Sequence, residues 1–483
     1  MKCLAKRPEE RYQHVDELVV DLKGLQKEIA VGGTAPVPQR KMLAVLPFEN
    51  LGSAEDEYFA DGITDEITTN LAKVSGLGVI SRTSAIKYKK SDKNLRQIGS
   101  ELGVDYVLEG TIRWDRLGGA NRVRINCQLI RVKDDTHLWA ESYDRVFEQI
   151  FELQSEVAQK VTAALDVILL EPERRALEAK PTENLEAYEY YLRGNDYLNR
   201  GWAKKDLEIA LQMYEEAVEL DSNFALAYAK LSQTHSRFYW HYYDRTDERL
   251  AKAKEAVDKA FKLKPDLPEA HLALGYYYYR GNLDYDRALK EFAIAQKGQP
   301  NSSDLLAAIG YVQRRQGKFE QALANILKAA ELDPRSNLNA LQVGTTYHYI
   351  RNYPEAERYY DRAISIAPDR VTAYVNKALL YIDWEGKTEK ARKVLEEAPG
   401  KADPAELAAV WAELEVLDGN YQAALGRLLG PDKFIELFGN TNDTAAYFST
   451  KARIYGLMNQ PKLKRACYDS ARIIGEKRIA ARP

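Results

Sequence analysis

The chain has 483 residues, of which 45% are hydrophobic and 29% are charged, so we expect most of it to fold into two or more domains. Its 69 Lys and Arg residues almost balance its 72 Asp and Glu residues, and the formal net charge is −3. This balance gives no electrostatic reason to expect nucleic acid or an anionic membrane as a partner, and the sequence predicts neither.

The cysteines and the hydropathy pattern indicate a protein of the cytoplasm. Cys3, Cys127 and Cys467 lie far apart and form no C-x-x-C pair, which argues against a disulfide framework and against a zinc site. The first residues contain no apolar segment typical of a signal peptide, and the sequence has no run of about 18 apolar residues. We therefore predict cytoplasmic localisation, with no metal ion and no cofactor.

Residues 1–28 contain one amphipathic helical segment. The stretch Cys3–Tyr12 and the apolar face that follows it resemble the end of the C-terminal lobe of serine/threonine protein kinases. In that family, an arginine at the position of Arg11 forms an ion pair with a glutamate from much earlier in the fold. The chain contains no Gly-rich phosphate loop, no H-R-D motif and no D-F-G motif, so we predict no catalytic residue. Residues 29–41 contain several Gly and Pro residues and are predicted to form a linker.

Residues 42–170 alternate short apolar runs with amphipathic segments. The pattern predicts, in order, a strand over 42–48, a helix over 58–74, a strand over 77–80, a helix over 95–102 ending at Gly103, strands over 106–114, 122–132 and 136–143, and a helix over 147–169. A β-α-β-α start followed by an antiparallel meander is typical of a two-layer α/β domain.

Several short sequences in this block resemble the TolB-like N-terminal domain of bacterial signalling proteins: Ala44–Phe48, Tyr58–Ile63, Ser81–Ser84, Leu108–Gly110 and His137–Arg145. In that family, the domain lies between an effector and a tetratricopeptide array, and the effector is typically a protein kinase, an adenylate cyclase or a winged-helix regulator. The resemblance implies a bacterial regulatory protein and supplies no known ligand.

After a charged connector at 171–184, residues 185–483 contain an internal repeat. Ala295, Ala329 and Ala363 are spaced 34 residues apart, and three prolines (Pro300, Pro334 and Pro368) follow the same spacing. Small residues fit where antiparallel helices approach within about 8–10 Å, and prolines end helices. The pattern resembles the tetratricopeptide repeat family, with seven or eight helix pairs and a C-terminal cap. The predicted fold is therefore a two-layer α/β domain followed by an all-α tetratricopeptide solenoid.

The first helix of each repeat is expected to face the concave side of the solenoid. Seven residues on three successive first helices are predicted to form a partner-binding groove: Tyr276, Tyr279, Arg280, Tyr311, Arg314, Arg315 and His348. Tyr and Arg often dominate interface energy, and we expect the tyrosines to point away from the packed helix pair. The sequence is equally compatible with an alternative, in which this surface packs against the chain's own α/β domain.

The sequence thus predicts a non-catalytic protein–protein interaction or scaffold protein of bacterial signalling. Two alternatives stay open. The chain could be the C-terminal regulatory part of a longer serine/threonine kinase, or its α/β domain could sense a small ligand.

On the first α/β helix, Asp61, Asp65 and Glu66 form an acidic cluster. The pattern favours a solvated face for this cluster, and the TolB-like resemblance keeps Asp61-Gly62 open as a binding turn.

Overall fold

The computed structural model describes residues 40–115, 122–201, 203–398, 404–428, 430 and 443–480. Within these residues, six strands form one mixed sheet: β1 Lys41–Val45, β2 Glu49–Asn50, β3 Leu77–Val79, β4 Tyr106–Asp115, β5 Arg122–Arg131 and β6 Thr136–Val146. The strand order is β3-β1-β4-β5-β6, with the short β2 also paired to β4. Strands β1 and β4 are parallel, and β4, β5 and β6 form an antiparallel meander, as the sequence predicted.

Strand β1 is buried on both faces because its alternate side chains enter two different clusters. Leu43 and Val45 pack on one face of the sheet, and Ala44 packs on the other. Four helices complete the block: α1 Glu57–Ala72, α2 Arg82–Ala85, α3 Leu95–Leu102 and α4 Ile150–Ala164. Helices α1 and α4 cover the first face, and α3 packs on the second face near β1. The predicted end of α3 is confirmed, since Gly103 adopts the left-handed conformation with φ 68°.

A short helix, α5 Glu171–Glu178, leads into sixteen described helices that pair along the chain. The pairs are α6 Leu185–Arg200 with α7 Lys204–Leu220, α8 Ala225–Trp240 with α9 Asp247–Leu263, α10 Pro268–Tyr276 with α11 Tyr285–Gly298, α12 Ser303–Arg315 with α13 Phe319–Leu332, α14 Asn337–Tyr349 with α15 Tyr353–Ile366, α16 Val371–Glu385 with α17 Glu389–Glu396, α18 Pro404–Leu417 with α19 Tyr421–Arg427, and α20 Asp443–Leu457 with α21 Pro461–Ala480. We number these pairs units 1 to 8.

The close approach within a unit depends on one glycine. At equivalent positions of four first helices, a Cβ atom would lie 2.4–2.7 Å from a large side chain of the second helix. The four contacts are Gly194 with Tyr214, Gly275 with Phe292, Gly310 with Ile326, and Gly344 with Tyr360. These glycines therefore let the two helices pack without a gap and without strain.

Unit 3 contains one extra residue, and the structure shows where it goes. Gly275 and Ala288 are 13 residues apart, whereas the equivalent Gly310 and Ala322 are 12 apart. Residues Tyr277–Asn282 wind as a π-helix, which we call the π turn, and Leu283 then adopts a left-handed φ of 55°. A π-helical turn is the usual way to hold one inserted residue in a helix, and it often occurs at functional positions.

The α/β block and the helix pairs belong to one compact unit, Met42–Pro483. The segment 1–28 that resembles a kinase, and the linker as far as residue 39, lie outside the described residues.

Candidate functional site between the α/β block and the repeats

Helix α1 lies between the sheet and the first repeat helix. Phe59, Ile63 and Ile67 face the sheet at helical spacing. On the opposite side, Gly62 lies against Leu192 of α6, where a Cβ atom on the glycine would be 3.1 Å from the leucine Cδ2. Apolar residues of the sheet, of α1 and of unit 1 belong to one continuous cluster. The α/β block is therefore joined to the repeats by a core-like interface.

Asn301, in the loop between units 3 and 4, forms a second attachment. Its side-chain Nδ2 donates to the carbonyl of Val74 at 2.8 Å and to the carbonyl of Ala72 at 3.2 Å. These two carbonyls lie at the C-terminal end of α1, where helix carbonyls lack partners within the helix. The amide thus caps α1 from the repeat side.

A third attachment joins the α/β block to the loop between units 4 and 5. The backbone amide of Ser81 donates to the carbonyl of Leu332 at 2.7 Å. The Ser84 hydroxyl donates to the buried carboxylate of Asp333 and accepts from the backbone amide of Arg335 at 2.8 Å. Burial raises the pKa of Asp333 to about 7.

Between these attachments lies a cavity of about 240 Å³. Its walls come from α1, the loop after β3, the first helices of units 1 to 3, and residues 299–304. Eight charged residues line it, four acidic and four basic: Asp65, Glu66, Glu269, Asp304, Lys73, Arg82, Lys230 and Arg237. The cavity carries both signs of charge in equal number.

Some of these charges are satisfied by protein groups. Asp65 accepts from Asn199 Nδ2 at 3.3 Å, and Glu269 accepts from Gln299 Nε2 at 2.8 Å. The side chains of Glu66, Lys230 and Asp304, in contrast, form no hydrogen bond and no ion pair with the described residues. Loss of solvation, together with the nearby Asp65, raises the pKa of Glu66 to about 7.

The interpretation of the acidic cluster as a solvated face is wrong. Asp61 accepts a hydrogen bond from Lys89 Nζ at 2.6 Å, and Glu57 pairs with the same ammonium. Asp65 and Glu66 point toward the repeats and the cavity. The sequence could not show the covering of Asp65 and Glu66, because the repeat residues that provide it lie more than 120 positions further along the chain.

The predicted groove residues lie on α10, the π turn, α12 and α14, and the structure brings several of them together. The Arg280 guanidinium lies 3.9 Å from the ring centre of Tyr276, and Arg315 Nε donates to the Tyr279 hydroxyl at 3.1 Å. Arg314 lies 5.6 Å from the Tyr311 ring. Two neighbouring aromatic residues were not among those predicted, since Tyr276 also packs on Phe292 at 5.4 Å, and Tyr279 on Trp240 at 5.4 Å.

The expectation that these tyrosines point away from the helix pair is wrong for Tyr276 and Tyr279. Tyr276 contacts Phe292 of its own unit, and Tyr279 is buried. The inserted residue in unit 3 explains the second case, because the π turn rotates the residues after Tyr276 relative to a regular helix. Arg280 is only 9% exposed, and its Nη1 has no hydrogen-bond partner within the described residues.

His348 differs from the other six groove residues, since its ring is held in place on both sides. Its Nε2 lies 2.9 Å from Asp383 of unit 6, and its Nδ1 lies 3.3 Å from the Tyr360 hydroxyl. His348 therefore links units 5 and 6. Arg314 of unit 4 similarly donates a hydrogen bond to Thr346 Oγ1 of unit 5 at 3.0 Å.

Large aromatic side chains are exposed where the first helices of units 5 and 6 end. Tyr349 is 60% exposed and lies 6.3 Å from Phe319, and Trp384 is 37% exposed and stacks on Tyr353 at 5.6 Å. We call Phe319, Tyr349, Tyr353 and Trp384 the aromatic patch. Helix α14 has 13 residues, so the patch lies about 20 Å from the helix ends near which the α/β block is attached.

Among the residues that the structure describes, no group of three His, Cys, Asp or Glu side chains is arranged to hold a metal ion. No helix in the same residues is long and apolar enough to cross a membrane.

Protein-family models match two parts of the chain. Residues 39–160 match the model described as HilA/YgeH-like transcriptional regulator, second domain, and residues 278–337 and 340–370 match two tetratricopeptide repeat models. The helix pairs that these two models match are tetratricopeptide repeats. The repeat resemblance is therefore confirmed. The TolB-like resemblance is not supported, because a HilA-like domain is found in its place, and the kinase resemblance of residues 1–28 is not supported either.

The curated relatives are longer than the matched region. A protein named putative adenylate cyclase 3 from Rhizobium meliloti (strain 1021) is 38% identical over 248 residues, which cover 51% of this chain and 41% of that protein. The Hsp70-Hsp90 organizing protein of Triticum aestivum is 25% identical over 196 residues, which cover 38% of this chain and 30% of that protein. The chain thus spans less than half the length of these relatives.

Two solved structures overlap with the repeats. A tetratricopeptide repeat protein from Parabacteroides merdae is 19% identical, with a TM-score of 0.39, and the overlap covers 58% of this chain and 100% of the other. The pilF protein of Pseudomonas aeruginosa is 20% identical, with a TM-score of 0.37, and the overlap covers 50% of this chain and 97% of the other. Scores of this size carry no argument about function.

Proposed function

We propose that this chain is a non-catalytic, protein-binding part of a bacterial signalling protein, acting in the cytoplasm. Its repeats bind a protein partner through the groove residues that stay accessible and through the aromatic patch. The observation that carries the proposal is the exposure of Tyr349 and Trp384 on adjacent units. Large aromatic side chains at a surface are costly to solvate and are the residue types that most often anchor protein interfaces.

The position of the α/β block divides the inner surface of the solenoid. The block covers the N-terminal ends of the first helices, where Glu269 and Asp304 line the cavity. At the C-terminal ends of α12 and α14, Arg315 and Tyr349 are exposed. This division supports a proposal in which the α/β block packs on one part of the surface and a partner binds the other part.

The relatives support a role in signalling and in protein assembly. The relative with 38% identity is named a putative adenylate cyclase, and cyclases produce a signalling nucleotide. Two further relatives are named Hsp70-Hsp90 organizing proteins, that is, for two chaperones. We infer that the shared part is regulatory or partner-binding.

The test compares a double variant and a single variant of the full chain as affinity baits. Tyr349→Ala/Trp384→Ala removes two anchors of the aromatic patch, and Tyr468→Ala removes an exposed tyrosine of unit 8 as a matched control. Truncation of an interface anchor costs about 2 kcal/mol or more, a loss in affinity of about thirtyfold. Partners should be retained by the control and lost by the patch variant, and circular dichroism should show both folded.

Retention of every partner by a folded patch variant would refute the proposed binding surface. Tyr276→Ala is a poorer choice of variant, because its ring packs against Phe292 and its loss would damage unit 3.

The kinase alternative remains a separate proposal. It predicts that the reading frame upstream of the codon for Met1 encodes H-R-D and D-F-G motifs. Sequencing that region distinguishes the two, because a frame without these motifs removes the kinase.

A second candidate function, small-ligand sensing, is favoured by the cavity between the α/β block and units 1 to 4. Small-ligand sites commonly form at domain interfaces and contain a few converging polar groups. Unliganded protein is expected to gain thermal stability from the correct ligand, and a screen by thermal shift tests for it.

A further inference from the structure

Three charged side chains face the cavity without a protein partner, and they come from three separate elements. Glu66 lies on α1, Lys230 on α8, and Asp304 in the first turn of α12. None of them forms a hydrogen bond or ion pair with the described residues. Glu66 and Lys230 are half-buried, and Asp304 is exposed. Half-buried charged groups lose part of their hydration, so a ligand of opposite charge would find Glu66 and Lys230 unpaired and Asp304 accessible.

The balance of charge limits the chemistry of a ligand. With four acidic and four basic residues around the cavity, a molecule with two like charges would meet repulsion from half of the lining. A molecule with one ammonium and one carboxylate would instead find an opposite charge at each end. Glu66 and Asp304 would accept from the ammonium, and Lys230 would donate to the carboxylate.

The volume limits the size of a ligand. At about 240 Å³, the cavity is smaller than the roughly 300–1,000 Å³ of sites for drug-sized molecules. Polar side chains that hydrogen-bond elsewhere, such as Asn195 with the Tyr214 hydroxyl, give the walls a fixed shape.

We propose that the cavity between the α/β block and the repeats binds a small zwitterion with an ammonium and a carboxylate, of the size of a free amino acid. Glu66 and Asp304 bind the cationic end, and Lys230 binds the anionic end. This inference rests on the second candidate function, ligand sensing, and adds the site and the ligand class. Because the lining comes from both domains, a bound zwitterion would stabilise their contact.

The experiment uses the full chain and a panel of defined probes. Glycine, L-glutamine and L-arginine represent zwitterions, 1,4-diaminobutane represents amines, and succinate represents carboxylates. At least one zwitterion should raise the Tm by about 2 °C or more, and isothermal titration calorimetry should show one site per chain. Lys230→Met and Glu66→Gln should each weaken binding by about tenfold or more, since each removes a charged hydrogen bond.

The control is Lys252→Met, which removes an exposed lysine that pairs with Glu248 on α9. It should bind the zwitterion as the wild type does. Binding of the amine or the carboxylate but not of any zwitterion would overturn the ligand class and leave ligand sensing standing. Binding of no probe, or equal binding by Lys230→Met, Glu66→Gln and wild type, would overturn the site itself.

Discussion

Replacing Gly310 with Ala should destabilise the repeats, whereas the same replacement at Gly475 should stabilise them. A Cβ atom at Gly310 would lie 2.5 Å from Ile326 Cγ1 and 3.0 Å from the carbonyl oxygen of Ala322. The backbone oxygen cannot move without shifting α13. At Gly475, within α21, a Cβ atom would meet nothing within 4 Å.

The expected magnitudes follow from two opposing terms. Alanine is more favourable than glycine in a helix interior by about 0.8–1.0 kcal/mol, and this gain applies at both sites. Overpacking typically costs 1–3 kcal/mol, and at Gly310 the upper part applies because a backbone atom is involved. We therefore expect Gly310→Ala to lower the free energy of unfolding by about 1–2 kcal/mol and Gly475→Ala to raise it by about 0.5–1 kcal/mol.

Urea unfolding followed by circular dichroism at 222 nm, together with hydrogen exchange of unit 4, measures both changes. Hydrogen exchange is needed because neighbouring repeats share stability and a repeat array need not unfold in two states. It shows which units lose protection. Equal stabilisation by both substitutions would show that Gly310 is not at a close contact, and the alignment of the repeat units would then be wrong.

Three further predictions concern the α/β block and its contacts with the repeats. Burial raises the pKa of Asp333 to about 7, so the folded state holds this proton more tightly than the unfolded state. Stability from this group is present below about pH 4 and is lost as the pH rises through 7. Asp333→Asn should remove up to about 3 kcal/mol of the change in unfolding free energy between pH 4.5 and pH 7.5, as measured by urea unfolding at both values. Gly62→Ala should be close to neutral, because the helix-propensity gain of about 0.8–1.0 kcal/mol offsets mild overpacking against Leu192, and it should become clearly stabilising in the Leu192→Ala background; strict additivity in this double-mutant cycle would contradict the contact. Cys127 is 2% exposed and burial raises its pKa to about 12, so peptide mapping after iodoacetamide should find it unmodified until the protein unfolds, while the partly exposed Cys467 reacts.

The local elements could be predicted because their signals are local. A short apolar run marked β1, β-rich runs separated by turn residues marked the meander, and the spacing of alanines and prolines marked the helix pairs. The same spacing contained the inserted residue in unit 3, since the interval from Gly275 to Ala288 is one longer than its equivalent. An irregular interval shows that a residue is extra, but only the structure shows that it forms a π turn and buries Tyr279 and Arg280.

The candidate cavity could not be predicted, because no part of it is local. Glu66 and Lys230 are 164 positions apart, and Asp304 is 74 positions further along the chain. Each of the three occupies a position on its helix that would suit a solvent-exposed face equally well. What brings them together is the contact of Gly62 with Leu192 and the capping of α1 by Asn301, and neither contact has a sequence signature.

The three attachments of the α/β block also change how the solenoid responds to force. An array in which each repeat touches only its neighbours extends and recoils like a spring, because small rotations add along its length. Here the α/β block contacts both unit 1, at Leu192, and the loop between units 4 and 5, at Asp333. Units 1 to 4 therefore cannot extend unless one of these contacts breaks. Bending and stretching are therefore concentrated in units 5 to 8. A partner that pulls on the aromatic patch acts where the stiff units 1 to 4 meet these more flexible units.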